Sequence, residues 1–154
     1  MRETDKIRDK VVLVGLNSPV LKRDQNAGED TLEELSALVE TAGAETVGMV
    51  LQNRSSPDPR TFIGEGKCAE VKLYCENTEA TMVIFDNDLS PSQLRCLTEL
   101  LGVQVLDRCG LILDIFAQRA RTREGRLQVE LAQYKYLLPR LLGMWKHLER
   151  QEGA

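Results

Sequence analysis

The chain has 154 residues, 42% of them hydrophobic and 29% charged, with a formal net charge of −4. That length can bury one real core, and that balance excludes a disordered polyelectrolyte. Aromatic residues make up only 5%, so the core must be aliphatic. No apolar run approaches the roughly 18 residues of a membrane-spanning helix. Met1–Lys10 is charged and has no apolar stretch, so no secretory signal is expected and the cytoplasm is the default location. The charge is uneven. Residues 1–106 carry 11 Lys and Arg against 18 Asp and Glu, whereas residues 107–154 carry 9 against 6. Contact with a polyanion is therefore expected in the C-terminal third.

Val11–Leu16 reads as a buried strand, ended by the stretch Gly15–Pro19. Residues 19–29 are polar and read as a loop. Thr31-x-x-Glu34 is a capping box, with Asp30 and Glu33 offering the alternative register. Leu32, Leu35, Leu38, Val39 and Ala42 follow at helical spacing, and Gly43 closes the helix. Thr46–Leu51 is a second strand. The prolines at 57 and 59 forbid regular structure between 52 and 66. A short helix is expected from about Lys67 to Glu76, and a third strand at Thr81–Phe85. Ser90-Pro91-Ser92-Gln93 is a strong helix start, with Ser at the cap, Pro in the first turn and Gln three residues on. That helix ends at Gly102, and Val103–Leu106 is the fourth strand.

Strand and helix in alternation predict an α/β fold: a four-stranded, mostly parallel sheet with flanking helices over residues 1–106 and right-handed crossovers. Strand order stays open. Residues 107–154 predict a helical extension. One helix runs from about Gly110 to Ala120, a hinge covers Thr122–Gly125, and a second helix runs from about Arg126 to Arg150. The second carries Leu127, Leu131, Tyr134, Leu138, Leu141, Trp145 and Leu148 at alternating steps of four and three. Pro139 should kink it. Such a seam needs a partner: a second copy, the body of the domain, or a helix of a longer parent.

Three groupings invite chemistry. Gly64, Gly66 and Lys67 suggest a phosphate loop, but the pattern G-x-x-x-x-G-K-S/T fails at both ends, with Thr61 and Cys68 in the required places. Anion binding by the free N–H groups of a helix start remains open there. Asp86, Asp88 and Asp107 fall at strand ends, where parallel sheets bind ligands, and paired carboxylates there could hold Mg²⁺ or act as acid and base; capping of the next helices by Asp88 and Asp107 is the favoured account. Arg119, Arg121, Arg123 and Arg126 cluster within eight residues, and Lys135, Arg140, Lys146 and Arg150 continue the basic face. Arginine forks suit phosphate oxygens, and the absence of interleaved aromatics points to nucleic-acid backbone rather than base stacking. The four cysteines and the single His147 lack the spacing of a zinc site or of a nucleophile–base pair. Cys68 and Cys75, seven apart, share a helix face and read as small buried side chains.

Several stretches together resemble the N-terminal region of the HflX family of ribosome-associated GTPases. They include Glu40–Ala44, Pro57–Lys67 and Phe85–Gln93. The longest is Asp107-Arg108-x-Gly110-Leu111-Ile112-Leu113-Asp114-Ile115-Phe116-Ala117-Gln118-Arg119-Ala120, continued through Thr122–Gly125 and Gln128–Gln133 to Leu137–Leu141 and Gly143–Trp145. The resemblance covers about Val11 to Gln151. It implies an α/β domain, then a coiled-coil helical hairpin, then a GTPase domain. It further implies binding to ribosomal RNA of the large subunit near the peptidyl-transferase centre, and separation of ribosomal subunits. The sequence departs from the family by stopping after one arm of the hairpin. It contains no phosphate loop and no N-K-x-D, so GTP and Mg²⁺ are expected only in the parent's GTPase domain. The expectation is an excised or truncated, non-catalytic RNA-binding region, with self-association through the Leu127–Leu148 seam. The alternative is a small nucleotide- or anion-binding domain built on Gly64–Lys67.

Overall fold

The computed structural model describes residues 8–119 and 131. In chain order they form β1 (Lys10–Asn17), α1 (Glu29–Thr41), β2 (Glu45–Asn53), α2 (Glu65–Thr78), β3 (Met82–Phe85), α3 (Pro91–Leu101), β4 (Gln104–Asp107) and α4 (Arg108–Arg119). The strands form one sheet in the order β2-β1-β3-β4, and every pairing is parallel. The expected α/β class is what the structure has.

β1 is the hub. Its apolar run is buried on both faces because the pleat sends alternate side chains to opposite sides. Val12, Val14 and Leu16 enter a core with α2 and α3, through Cys68, Val71, Cys75, Leu97 and Leu101. Val11 and Leu13 enter a second core with α1 and α4, through Leu32, Leu35, Val39, Leu111 and Ile115. The helices thus cover both faces, and the winding reverses between β1 and β3. α4, which begins the predicted extension, joins the core of the α/β unit by its first two turns.

Local chemistry explains where the elements begin and end. β1 runs through Gly15 to Asn17 rather than breaking there. Gly15 pairs with Leu51, and a Cβ on it would lie 2.6 Å from Ala27 Cβ. Glycine at 15 is thus a close-approach residue inside a strand, not a terminator. α1 is capped at Gly28, not Thr31. Ala27 N–H bonds the Leu16 carbonyl at 3.2 Å, which brings the chain into its first turn early. Thr31 then sits in the third helical position, its hydroxyl accepting the Gly28 N–H at 2.8 Å. α2 also begins early, after Gly64, and ends at Glu79 in the left-handed region at φ 58°. The expected box at α3 is present: Gln93 N–H donates to Ser90 Oγ at 3.2 Å and Ser90 N–H to Gln93 Oε1 at 2.9 Å. Gly102 closes α3 at φ 72°. Among the described residues no helix is long and apolar enough to cross a membrane.

Candidate functional site at the carboxyl edge of the sheet

Open parallel sheets bind ligands outside the carboxyl ends of their strands, where the winding reverses. Here that point lies between β1 and β3. A polar cavity of about 340 Å³ is found there, lined among others by Arg23, Asn26, Thr31, Glu34, Asp86 and Arg108. Arg23 belongs to a short 3₁₀ turn in the loop after β1. Two asparagines of its wall tie neighbouring backbone together. Asn87 reaches back to β1: its Oδ1 accepts the Leu16 N–H at 2.8 Å, and its Nδ2 donates to the Leu16 carbonyl at 3.0 Å and the Gln25 carbonyl at 2.7 Å. Asn26 does the same for the β1–α1 loop, accepting the Ser18 N–H at 2.8 Å and donating to the carbonyls of Ser18 and Leu21.

The carboxylates weighed as acid–base or metal groups are engaged. Asp107 is fully buried; its Oδ2 accepts the Leu89 N–H at 3.1 Å and its Oδ1 caps α4 through the Gly110 N–H at 3.0 Å. Asp86 accepts from Arg108 Nε at 2.7 Å, and Arg108 Nη2 donates to the Thr31 carbonyl at 2.8 Å. These two carboxylates serve as cap and ion-pair partner. Among the described residues no group of three or more His, Cys, Asp or Glu is placed to hold a metal ion.

The Gly64–Lys67 turn is likewise partly spent. Gly64 N–H donates to Gln52 Oε1 at 3.0 Å. Lys67 Nζ pairs with Glu70 one turn along α2 at 2.7 Å. Arg54 Nη1 lies 3.3 Å from where a Cβ on Gly64 would be. Gly66 is open, but Glu65 places a carboxylate in the first turn, which disfavours an anion. Just before the turn, residues 58–62 form a tight reversal. Asp58 Oδ1 accepts the N–H groups of Arg60 at 2.8 Å and Thr61 at 3.0 Å, and these bonds hold its carboxyl below the ordinary range. Phe62 closes the reversal in the left-handed region at φ 66°. Cys68 and Cys75 are buried on one face of α2, as expected, and burial pushes both thiols up. That removes them from thiolate chemistry.

Of the arginine cluster, Arg119 is the last residue of α4. Arg121, Arg123, Arg126, Lys135, Arg140, Lys146 and Arg150 lie outside the described residues, as does most of the expected seam. Leu131 is its one described member, helical and 53% exposed. The sequence reading did not single out Asn87, Asn26 or Arg108. An Asn between two Asp at a strand end was the only signal for Asn87.

Two family descriptions match the chain. "GTP-binding GTPase N-terminal" covers residues 29–117 and "GTP-binding GTPase Middle Region" covers residues 119–154. The chain belongs to the HflX family of GTP-binding proteins. It is 50% identical over 130 residues to GTPase HflX of Escherichia coli strain K12, which spans 84% of this chain and 30% of that one. It is 45% identical over 146 residues to GTPase HflX of Flavobacterium psychrophilum, spanning 95% of this chain and 35% of that one. The chain therefore spans about a third of the length of these HflX relatives. A GTP-binding protein from Sulfolobus solfataricus, solved with GDP, has a similar structure, with a TM-score of 0.67 and 27% identity; the match covers 93% of this chain and 42% of that one. Within HflX proteins, the matched descriptions place these residues in the N-terminal and middle regions.

Proposed function

We propose that this chain is the ribosome- and RNA-binding region of an HflX-type GTP-binding protein that acts on the large ribosomal subunit in the cytoplasm, and that it performs no chemistry by itself. One observation carries the reading: the chain matches the family's N-terminal and middle regions, yet its 154 residues contain neither G-x-x-x-x-G-K-S/T nor N-K-x-D. The residues present do not fit a GTP site. The glycine turn at Gly64–Lys67 has Gly64 N–H bonded to Gln52 and Lys67 paired with Glu70. In this reading GTP and its Mg²⁺ belong to the part of the parent beyond the third matched here, as does the energy for subunit splitting. The α/β unit acts as a rigid base. α4 leads from it into Arg119, Arg121, Arg123 and Arg126, whose guanidinium forks suit phosphate oxygens. Lys135, Arg140, Lys146 and Arg150 add further positive charge along the sequence that follows.

Co-sedimentation with purified large ribosomal subunits across a salt series tests the reading. Binding by phosphate contact falls linearly in log affinity against log salt, with a slope near −0.7 to −0.9 for each phosphate neutralised. A slope of about −3 or steeper is expected. Binding that ignores salt, or no binding at low salt, would overturn it. A titration with GTP beside it should show no saturable binding to this chain.

A further inference from the structure

The residues joining β4 to α4 make contacts that neither the capping of α4 nor the burial of its apolar face requires. Asp107 and Arg108 are consecutive, and between them they hold the β3–α3 loop at two points and the first turn of α1. Asp107 takes the Leu89 N–H from the β3–α3 loop while capping α4. Arg108 takes Asp86 at the end of β3 and the Thr31 carbonyl in the first turn of α1. The Asp86 side chain is 2% exposed and that of Arg108 is 27% exposed, so the pair lies largely out of water. Among the described side chains of α4, the apolar Leu111 and Ile115 are deeply buried. They are four residues apart on one face, a base of about 6 Å along the axis at 1.5 Å per residue. Arg108 lies on the same face and lengthens that base to about 10 Å. A sideways play of about 1 Å then tilts the helix by about 5° instead of about 10°.

We infer that the Arg108–Asp86 pair is a positioning device: it fixes the direction in which α4 delivers the arginine segment, so that docking on RNA depends on a side chain that does not itself touch the RNA. This rests on the RNA-docking reading above. The geometric half stands apart from it, because the direction of α4 can be measured without RNA.

The test uses the 154-residue chain, with Arg108→Lys, Arg108→Met and the double variant Asp86→Asn/Arg108→Met. Three quantities are read: the melting temperature, residual dipolar couplings of the α4 amides against those of β1, and affinity for large ribosomal subunits. Arg108→Met strands a buried carboxylate and lowers the melting temperature. The double variant removes both charges, and its melting temperature returns towards that of the wild type. Its α4 couplings should nonetheless no longer fit one orientation relative to β1, and its affinity should stay about three- to tenfold weaker. Arg108→Lys keeps the charge but not the fork and should fall between. Unchanged α4 couplings in the double variant would overturn the inference, whatever happens to affinity. Affinity that recovers together with stability would overturn it too. If the wild-type chain fails to bind subunits at all, the functional reading falls, and the couplings still decide whether the pair fixes α4.

Discussion

The Asn87 carboxamide makes three hydrogen bonds from a position only 2% exposed, two of them to the N–H and carbonyl of Leu16. An apolar residue of the same size cannot replace them, and Leu16 is itself fully buried. Asn87→Leu should therefore destabilise the fold by about 1–3 kcal/mol, the cost of leaving the buried Leu16 N–H unpaired, since the Leu16 carbonyl keeps the Ala27 N–H. Urea unfolding measures this, and a loss under about 1 kcal/mol would show that water replaces the amide. Asp58 gives a different signature. The N–H groups of Arg60 and then Thr61 hold its carboxyl below the ordinary value. Its folded pKa is thus below its unfolded one, so its contribution is complete above the unfolded pKa and disappears as pH falls through the folded one. The stability gap between wild type and Asp58→Asn should be constant above about pH 5 and close in more acid solution. A gap that widens on acidification contradicts the assignment. Neither residue stands out in the sequence by type. Asn87 meets its partner on β1 across 71 positions, and local pattern carries no information over that distance.

Every strand and helix of the α/β unit is legible from periodicity and punctuation, because each depends on its own neighbours. Ser90, Pro91 and Gln93 start α3 as their chemistry dictates. The exceptions come from contact between distant segments. Gly15 looks like a strand terminator, yet it lies inside β1 because Ala27 packs against its backbone. Gly15→Ala should cost about 1–3 kcal/mol through overpacking, and adding Ala27→Gly should recover most of it. Thermal denaturation of the single and double variants decides the matter; additive losses would mean that the clash lies elsewhere. The start of α1 follows the same logic. Thr31 has the right type for a cap, but the bond from Ala27 to Leu16 sets the register first, and Thr31 serves from the third position instead.

Strand order was open from sequence because it depends on which crossovers pass over which face. The order β2-β1-β3-β4 places the winding reversal between β1 and β3, where a ligand crevice is expected. Asn87, Asn26 and the Arg108–Asp86 pair line the polar cavity there, and Asp107 adjoins Arg108. These side chains are bonded to segments of their own chain. What remains is a base whose last described helix ends at Arg119, with the other arginines following in sequence. The most direct measurement compares large-subunit affinity at fixed low salt for three chains: wild type, Arg119→Glu/Arg121→Glu/Arg123→Glu/Arg126→Glu, and Lys67→Glu. Charge reversal at the four arginines should weaken binding by at least about a hundredfold, since each replaces a phosphate contact by a repulsion, while Lys67→Glu should change it less than about twofold. Equal affinity of the four-arginine variant and the wild type would contradict the account, and a loss confined to Lys67→Glu would contradict it and place the contact on the Gly64–Lys67 turn.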